Sequence, residues 1–218
     1  MRILASADLH GDRSTVEWLV RVARERRPDA LVLAGDLLGV PEGFGTAEEA
    51  QAADAVALAE RLSPLAIHVL FVMGNDDLVA LPDGRGPLRS IHGRRVELGA
   101  WNVVGYQNGP PFMNGPFERP DAELEREIVT LADQVDERTV LVTHYPARAE
   151  HENEDPEGPF GLAAIRDLVM RRQPRAHVHG HTHRAFGRRG SHFNVAAALQ
   201  LRAMLIDLES LGHEVVRD

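Results

Sequence analysis

Five short apolar runs in this chain end on residues that apolar packing does not explain, and any fold it adopts must accommodate all five. "RILASA" leads into Asp8-Leu9-His10, "DALVLAG" into Asp36, and "AIHVLFVMG" into Asn75-Asp76-Asp77. "RTVLVTH" stops on His144, and "RAHVHG" is followed by His181-Thr182-His183. Near-continuous apolar stretches of this kind read as strands buried on both faces. Amphipathic segments separate the first three. "STVEWLVRVARERR" places Val16, Leu19, Val20 and Ala23 on one helical face, with Ser14 as the expected N-cap. "TAEEAQAADAVALAERL" opens on Thr46 with Glu49 three residues later, a capping-box spacing. Strand–helix alternation of this sort builds βαβ units.

The remainder is more mixed. "RRVELGAWNVVGYQ" reads as a hairpin or two short antiparallel strands, and "NGPPFMNGPFERP" as a long loop. A loop of that length in a compact domain is either a functional lid or a surface excursion. "DAELEREIVTLADQV" and "FGLAAIRDLVMRR" are helical in pattern, "RAEHENEDPEGP" is an acidic loop, and the tail from His181 to Ser210 reads as several short β segments. There is no internal repeat and no low-complexity linker. The expectation is an α/β fold with mixed sheets, in a single domain over residues 1–218.

Composition narrows the function classes. The chain has 24 basic and 33 acidic residues, a formal charge of -9. That balance disfavours nucleic acid and anionic membranes as partners, because both attract basic surfaces. It leaves open a small anionic substrate, since a bound metal inverts the local field. There are no cysteines, which removes disulfides and thiolate chemistry. Apolar sequence meets Asp8 too early for a signal peptide, and no later stretch has the length of a transmembrane span, so a cytoplasmic location is expected.

In open α/β sheets, functional groups gather beyond the C-terminal ends of strands. Asp8, His10, Asp36, Asn75, His144, His181 and His183 all fall there. Singly, each has a bland reading: a helix cap, a turn opener, an Asx turn. Together they supply imidazole nitrogens, carboxylate oxygens and an amide oxygen. That donor mixture suits two divalent ions, with manganese placed ahead of iron, zinc, cobalt and nickel. Asp8 with His10, and His181 with His183, are i, i+2 pairs, which on an extended chain point to one side.

The order and spacing of the five blocks resemble the calcineurin-like metallophosphoesterases: D-x-H, G-D, G-N-[HC]-[DE], a lone H, then G-H-x-H. The likeness runs from Asp8 to His183. It implies a four-layer fold in which two mixed β-sheets form a sandwich flanked by helices. It implies that Asp8, His10, Asp36 and His183 hold one metal, and that Asn75, His144 and His181 hold the other, with Asp36 bridging. It further implies a phosphoesterase acting on a small-molecule phosphodiester or phosphomonoester. Two cations about 3.5–4 Å apart would bind the phosphate and deprotonate a bridging water that attacks phosphorus. Narrower readings are a cyclic-nucleotide phosphodiesterase or a nucleotide pyrophosphohydrolase. A reading of another class is a metal-binding protein-interaction scaffold. Homo-oligomerisation stays open.

One block departs from the pattern. Asp76 stands where most relatives carry a histidine that protonates the leaving group. An aspartate beside two dications is ionised at neutral pH and has no proton to give. Asp36, Asn75, Asp76 and His144 are accordingly the candidate catalytic set, with alkyl esters expected to be poor substrates. Asp77 either orients its neighbour or is a solvated turn carboxylate. Tyr106, Asn108, Asn114 and Tyr145 are candidate substrate contacts. His177 and His179 are expected to be structural or supporting, His68 a satisfied core histidine, His92, His192 and His213 turn or strand residues, and His151 a solvated loop residue.

Overall fold

The computed structural model describes residues 1–148 and 161–218. Two six-stranded sheets and four helices account for most of them. In chain order these are β1 (Arg2–Ser6), α1 (Arg13–Arg26), β2 (Ala30–Ala34), α2 (Ala47–Leu62), β3 (His68–Val72), β4 (Leu88–Ser90), β5 (Arg95–Leu98), β6 (Trp101–Tyr106), α3 (Asp121–Leu131), β7 (Thr139–Thr143), α4 (Ala163–Arg172), β8 (Ala176–His179), β9 (Gly187–Arg189), β10 (His192–Asn194), β11 (Arg202–Asp207) and β12 (His213–Arg217). The first sheet runs β12-β11-β1-β2-β3-β4 and the second β5-β6-β7-β8-β10-β9.

The inner strands of each sheet are parallel, which sends their C-terminal ends the same way. Antiparallel strands at the margins make both sheets mixed. Alternate residues of β1, β2 and β3 explain why these strands are apolar throughout. Leu4, Leu31, Leu33, Val69 and Phe71 pack against α1 and α2. Ile3, Val32, Leu70 and Val72 face the second sheet, where they meet Val103, Val140, Val142 and Val178. Leu141 and Val104 look outward to α3 and α4. The layers are therefore α, β, β, α. Each buried Leu, Val or Phe contributes about 1.5–3 kcal/mol.

Local expectations held with three corrections. Thr46 caps α2 by accepting from the Glu49 N–H at 3.1 Å, while the Glu49 carboxylate reaches back to the Gly45 N–H at 3.2 Å. Ser14, however, lies within the first turn of α1. The N-cap is Asp12, whose carboxylate accepts from the Thr15 N–H at 2.8 Å. His68 is not in the core: it opens β3 and is exposed, because the buried part of the strand starts one residue later. β4 was not anticipated, since three residues are too few to display a period. His151 and most of the acidic loop lie outside the described residues. No described helix is long and apolar enough to cross a membrane.

Candidate metal centre

The ends of β1, β2, β3, β7 and β8 bring the seven expected ligands into one connected cluster. On one side, His183 Nε2 lies 3.0 Å from Asp8 Oδ1 and 3.4 Å from His10 Nε2. On the other, His144 Nε2 lies 3.1 Å from Asp36 Oδ2, 3.0 Å from Asn75 Oδ1 and 3.3 Å from His181 Nδ1. Ligand atoms of Asp8, Asp36 and His144 lie within 4.8 Å of one another, which joins the two halves.

The extended-chain reading of the i, i+2 pairs is corrected by the backbone. Asp8, His10, Asp36 and His181 all have left-handed φ, at 56°, 46°, 52° and 70°. The strands stop and the chain curls, so the side chains converge through tight turns rather than a continuing pleat. Non-glycine residues adopt this region at a cost, and such costs concentrate at functional sites.

The three motif glycines are required by close approach, and a Cβ on Gly35 would meet the His144 ring. A methyl group on Gly74 would collide with the Asp36 carboxylate, and one on Gly180 with the Asp8 carboxylate. Gly74→Ala is therefore expected to displace Asp36 and weaken metal binding by about 10–100-fold. Calorimetric titration with Mn(II) measures this, and an unchanged isotherm would refute it.

Side chains outside the ligand set hold these turns. Asp77 is fully buried, not solvated. Its carboxylate accepts from the N–H groups of Leu37 and Leu38, both at 2.9 Å, and of Gly74 at 2.8 Å. It thereby fastens the turn after Asp36 to the turn before Asn75. Burial and the charge of Asp36 push it up to about 7. Gln51 of α2 grips the next residues, donating to the Asp76 carbonyl at 2.7 Å and accepting from the Leu78 N–H at 2.6 Å. Asn194 donates to the Thr182 carbonyl at 2.7 Å and fixes the His181–His183 turn. The sequence left Asp77 between an orienting and a solvated reading, and the roles of Gln51 and Asn194 were not read from it. Gln51 did leave a signal, because it shares a helical face with Ala55, Leu58 and Leu62, all buried.

His144 shows why the cluster fits a cation. Its Nδ1 is 2.9 Å from the Ala34 carbonyl, so that nitrogen carries hydrogen and donates. In the neutral ring the Nε2 lone pair then faces two oxygen acceptors, and nothing among them is positive. Either a proton or a metal must occupy the gap. Burial alone would lower His144, but the charge of Asp36 raises it to about 10. Burial would raise Asp36, yet His144 holds it at about 2. His181, buried and next to His144, falls to about 3, so its imidazole is neutral and ready to ligate. A cation binding near neutral pH must displace the His144 proton, because the raised group is protonated there. Calorimetry in two buffers of different ionisation enthalpy is expected to show about one proton or more released per chain. No release would contradict the proton-for-metal exchange.

The candidate substrate contacts separate into two groups. Tyr145 stays with the centre, its ring 4.3 Å from that of His181. Tyr106 and Asn108 are not brought there. The Tyr106 hydroxyl donates to Glu127 at 2.8 Å and the Asn108 amide to the same oxygen at 2.9 Å, tying β6 to α3. Asn114 lies in the 107–120 loop, where its N–H and those of Phe112 and Met113 all donate to Glu118. That loop passes the site: a Cβ on Gly115 would sit 3.7 Å from the Asn75 carbonyl. Phe112 and Met113 stand exposed on it, at 70% and 56%. His177 and His179 are buried, with His177 Nε2 2.8 Å from Thr143 Oγ1.

Comparison with known proteins bears on the family and the fold. The family model of the calcineurin-like phosphoesterases matches residues 1–185. No curated protein matches the chain. The crystal structure of TT1561 of Thermus thermophilus has a TM-score of 0.72 at 18% identity, covering 99% of this chain and 98% of that one. A dimetal phosphatase from Danio rerio has a TM-score of 0.60 at 12% identity, covering 100% and 98%. GAP50, the anchor in the inner membrane complex of Plasmodium, has a TM-score of 0.54 at 10% identity, covering 92% and 72%. At these identities the likeness is one of fold.

Proposed function

The chain belongs to the calcineurin-like phosphoesterase family, and on that premise we propose that it is a dinuclear metal-dependent hydrolase of small-molecule phosphodiesters or phosphomonoesters. The observation that carries this reading is the convergence of Asp36 Oδ2 and Asn75 Oδ1 on His144 Nε2, at 3.1 and 3.0 Å, a buried donor set in which a divalent cation would replace the His144 proton. Asp8, His10, Asp36 and His183 would hold one divalent cation, and Asp36, Asn75, His144 and His181 the other. Manganese is the first candidate, because carboxylate, amide and imidazole donors together suit it. Two cations there would supply Lewis acidity toward phosphate oxygens and lower the pKa of water.

The chain's own groups set the limits of the reaction. Asp36 is buried and faces both halves, so it fixes their separation. Tyr145, against His181, lines the wall on that side. Asp76 occupies the leaving-group position of the family pattern and, as a carboxylate beside cations, offers no proton. Good leaving groups follow from that: phenolates, rather than alkoxides. Exposed Phe112 and Met113 on the adjoining loop are compatible with an aromatic ester arm. The formal charge of -9 argues against nucleic acid as substrate.

Steady-state hydrolysis of an aryl phosphodiester and a cyclic nucleotide by Mn-reconstituted protein tests this. Fast aryl cleavage with negligible cyclic-nucleotide cleavage is expected. Comparable rates would favour a nucleotide phosphodiesterase with a different proton donor. No turnover of either would favour a scaffold, a role to which a fold shared with an anchor protein is open.

A further inference from the structure

We propose that Asp76 is itself a metal ligand, an eighth protein donor on the His10 side of the centre, which is a different task from the proton donation associated with that position. The inference rests on the dinuclear reading above. Its basis is the placement of one carboxylate. Ligand atoms of His10, Asp36 and Asp76 lie within 4.8 Å of one another, the same span that defines the Asp8, His10, His183 group.

Residue 76 is held firmly in this position. Its N–H donates to Asp36 Oδ1 at 2.9 Å, and its carbonyl accepts from Gln51 at 2.7 Å. Its two carboxylate oxygens are differentiated. Oδ1 accepts from the Asn75 amide at 2.7 Å, while Oδ2 lies 3.7 Å from His10 Nδ1. That separation is too long for a hydrogen bond. His10 turns Nε2, not Nδ1, toward His183, so the ion that Asp76 would share is the one spanned by the grouped donor atoms of His10, Asp36 and Asp76, and Oδ2 is not taken up by a hydrogen bond to Nδ1.

The same amide contact has a second consequence. Asn75 points its nitrogen at Asp76 and its oxygen at His144, 3.0 Å away. Asp76 thereby fixes which end of the Asn75 amide faces the second ion, so one carboxylate would serve both halves. A third carboxylate also reduces the formal charge of a centre holding two dications with Asp8 and Asp36 from about +2 to about +1, and shifts its preference toward oxygen-seeking ions.

The test is a crystal structure of the Mn-loaded full chain, located by anomalous scattering, with Mn(II) titrations of the wild type and Asp76→Ala. The expected result is an Asp76 oxygen about 2.0–2.3 Å from one ion, and one of two dissociation constants raised about tenfold or more in the variant. Two ions bound with Asp76 more than about 3 Å from both, and unchanged affinities in the variant, would overturn the inference alone. Absence of any ion at Asp36 would overturn the dinuclear reading and the inference with it. Asp76 is half-exposed, so its truncation leaves the core intact; the crystal distances give a second readout independent of the variant.

Discussion

Replacing Asp36 by Asn is expected to lower phosphoester turnover by about 10³-fold or more while leaving the fold in place. Asp36 is 2% exposed and meets His144 at 3.1 Å, and it belongs to both the Asp8 and the His10 groupings. An amide in its place keeps the volume but loses the charge that offsets two cations. A loss of about 4 kcal/mol in transition-state stabilisation corresponds to that factor. The variant should also bind fewer cations, and His144 should titrate lower, because its raised pKa depends on the Asp36 charge. Measured turnover within tenfold of wild type, with metal content matched, would show that Asp36 does not bridge the centre.

The second large effect concerns Asp76. Asp76→His is expected to raise hydrolysis of alkyl phosphoesters relative to aryl ones by about 10²–10⁴-fold, the usual contribution of a general acid. Without bound metal, burial and the nearby charge of Asp36 raise Asp76 above the usual carboxylate range. Two dications at the adjacent ligands oppose that shift and restore the charged form. The ratio of kcat/KM values for an alkyl and an aryl diester, determined for both proteins, decides the matter. An unchanged ratio would mean that position 76 has no part in leaving-group departure.

What the sequence made legible was chemistry that packing could not excuse. Asp8, Asp36 and His144 are almost wholly buried at strand ends, where an apolar residue would have served stability better. Their placement followed from the rule that parallel strands present functional groups at one edge. Less legible was anything that depended on backbone curvature. The left-handed turns at His10 and His181 reverse the i, i+2 logic of an extended chain, yet they deliver the same side chains. Asp76 and Asp77 were indistinguishable as adjacent carboxylates. Only the fold shows that Asp77 turns inward to three backbone N–H groups while Asp76 turns toward His10. Tyr106 and Asn108 misled because residues following a strand near a loop are natural substrate contacts. Their hydrogen bonds go instead to Glu127, an acid on α3 whose pairing no local pattern announces.

The most direct measurement titrates Mn(II) into chelator-treated protein while following hydrolysis of an aryl phosphodiester. A dinuclear phosphoesterase should show negligible turnover when metal-free, and activity that rises with the second equivalent and saturates at two ions per chain. Activity that survives chelation, or reaches its maximum with one ion bound, would contradict the two-metal centre assigned to Asp8, His10, Asp36, Asn75, His144, His181 and His183.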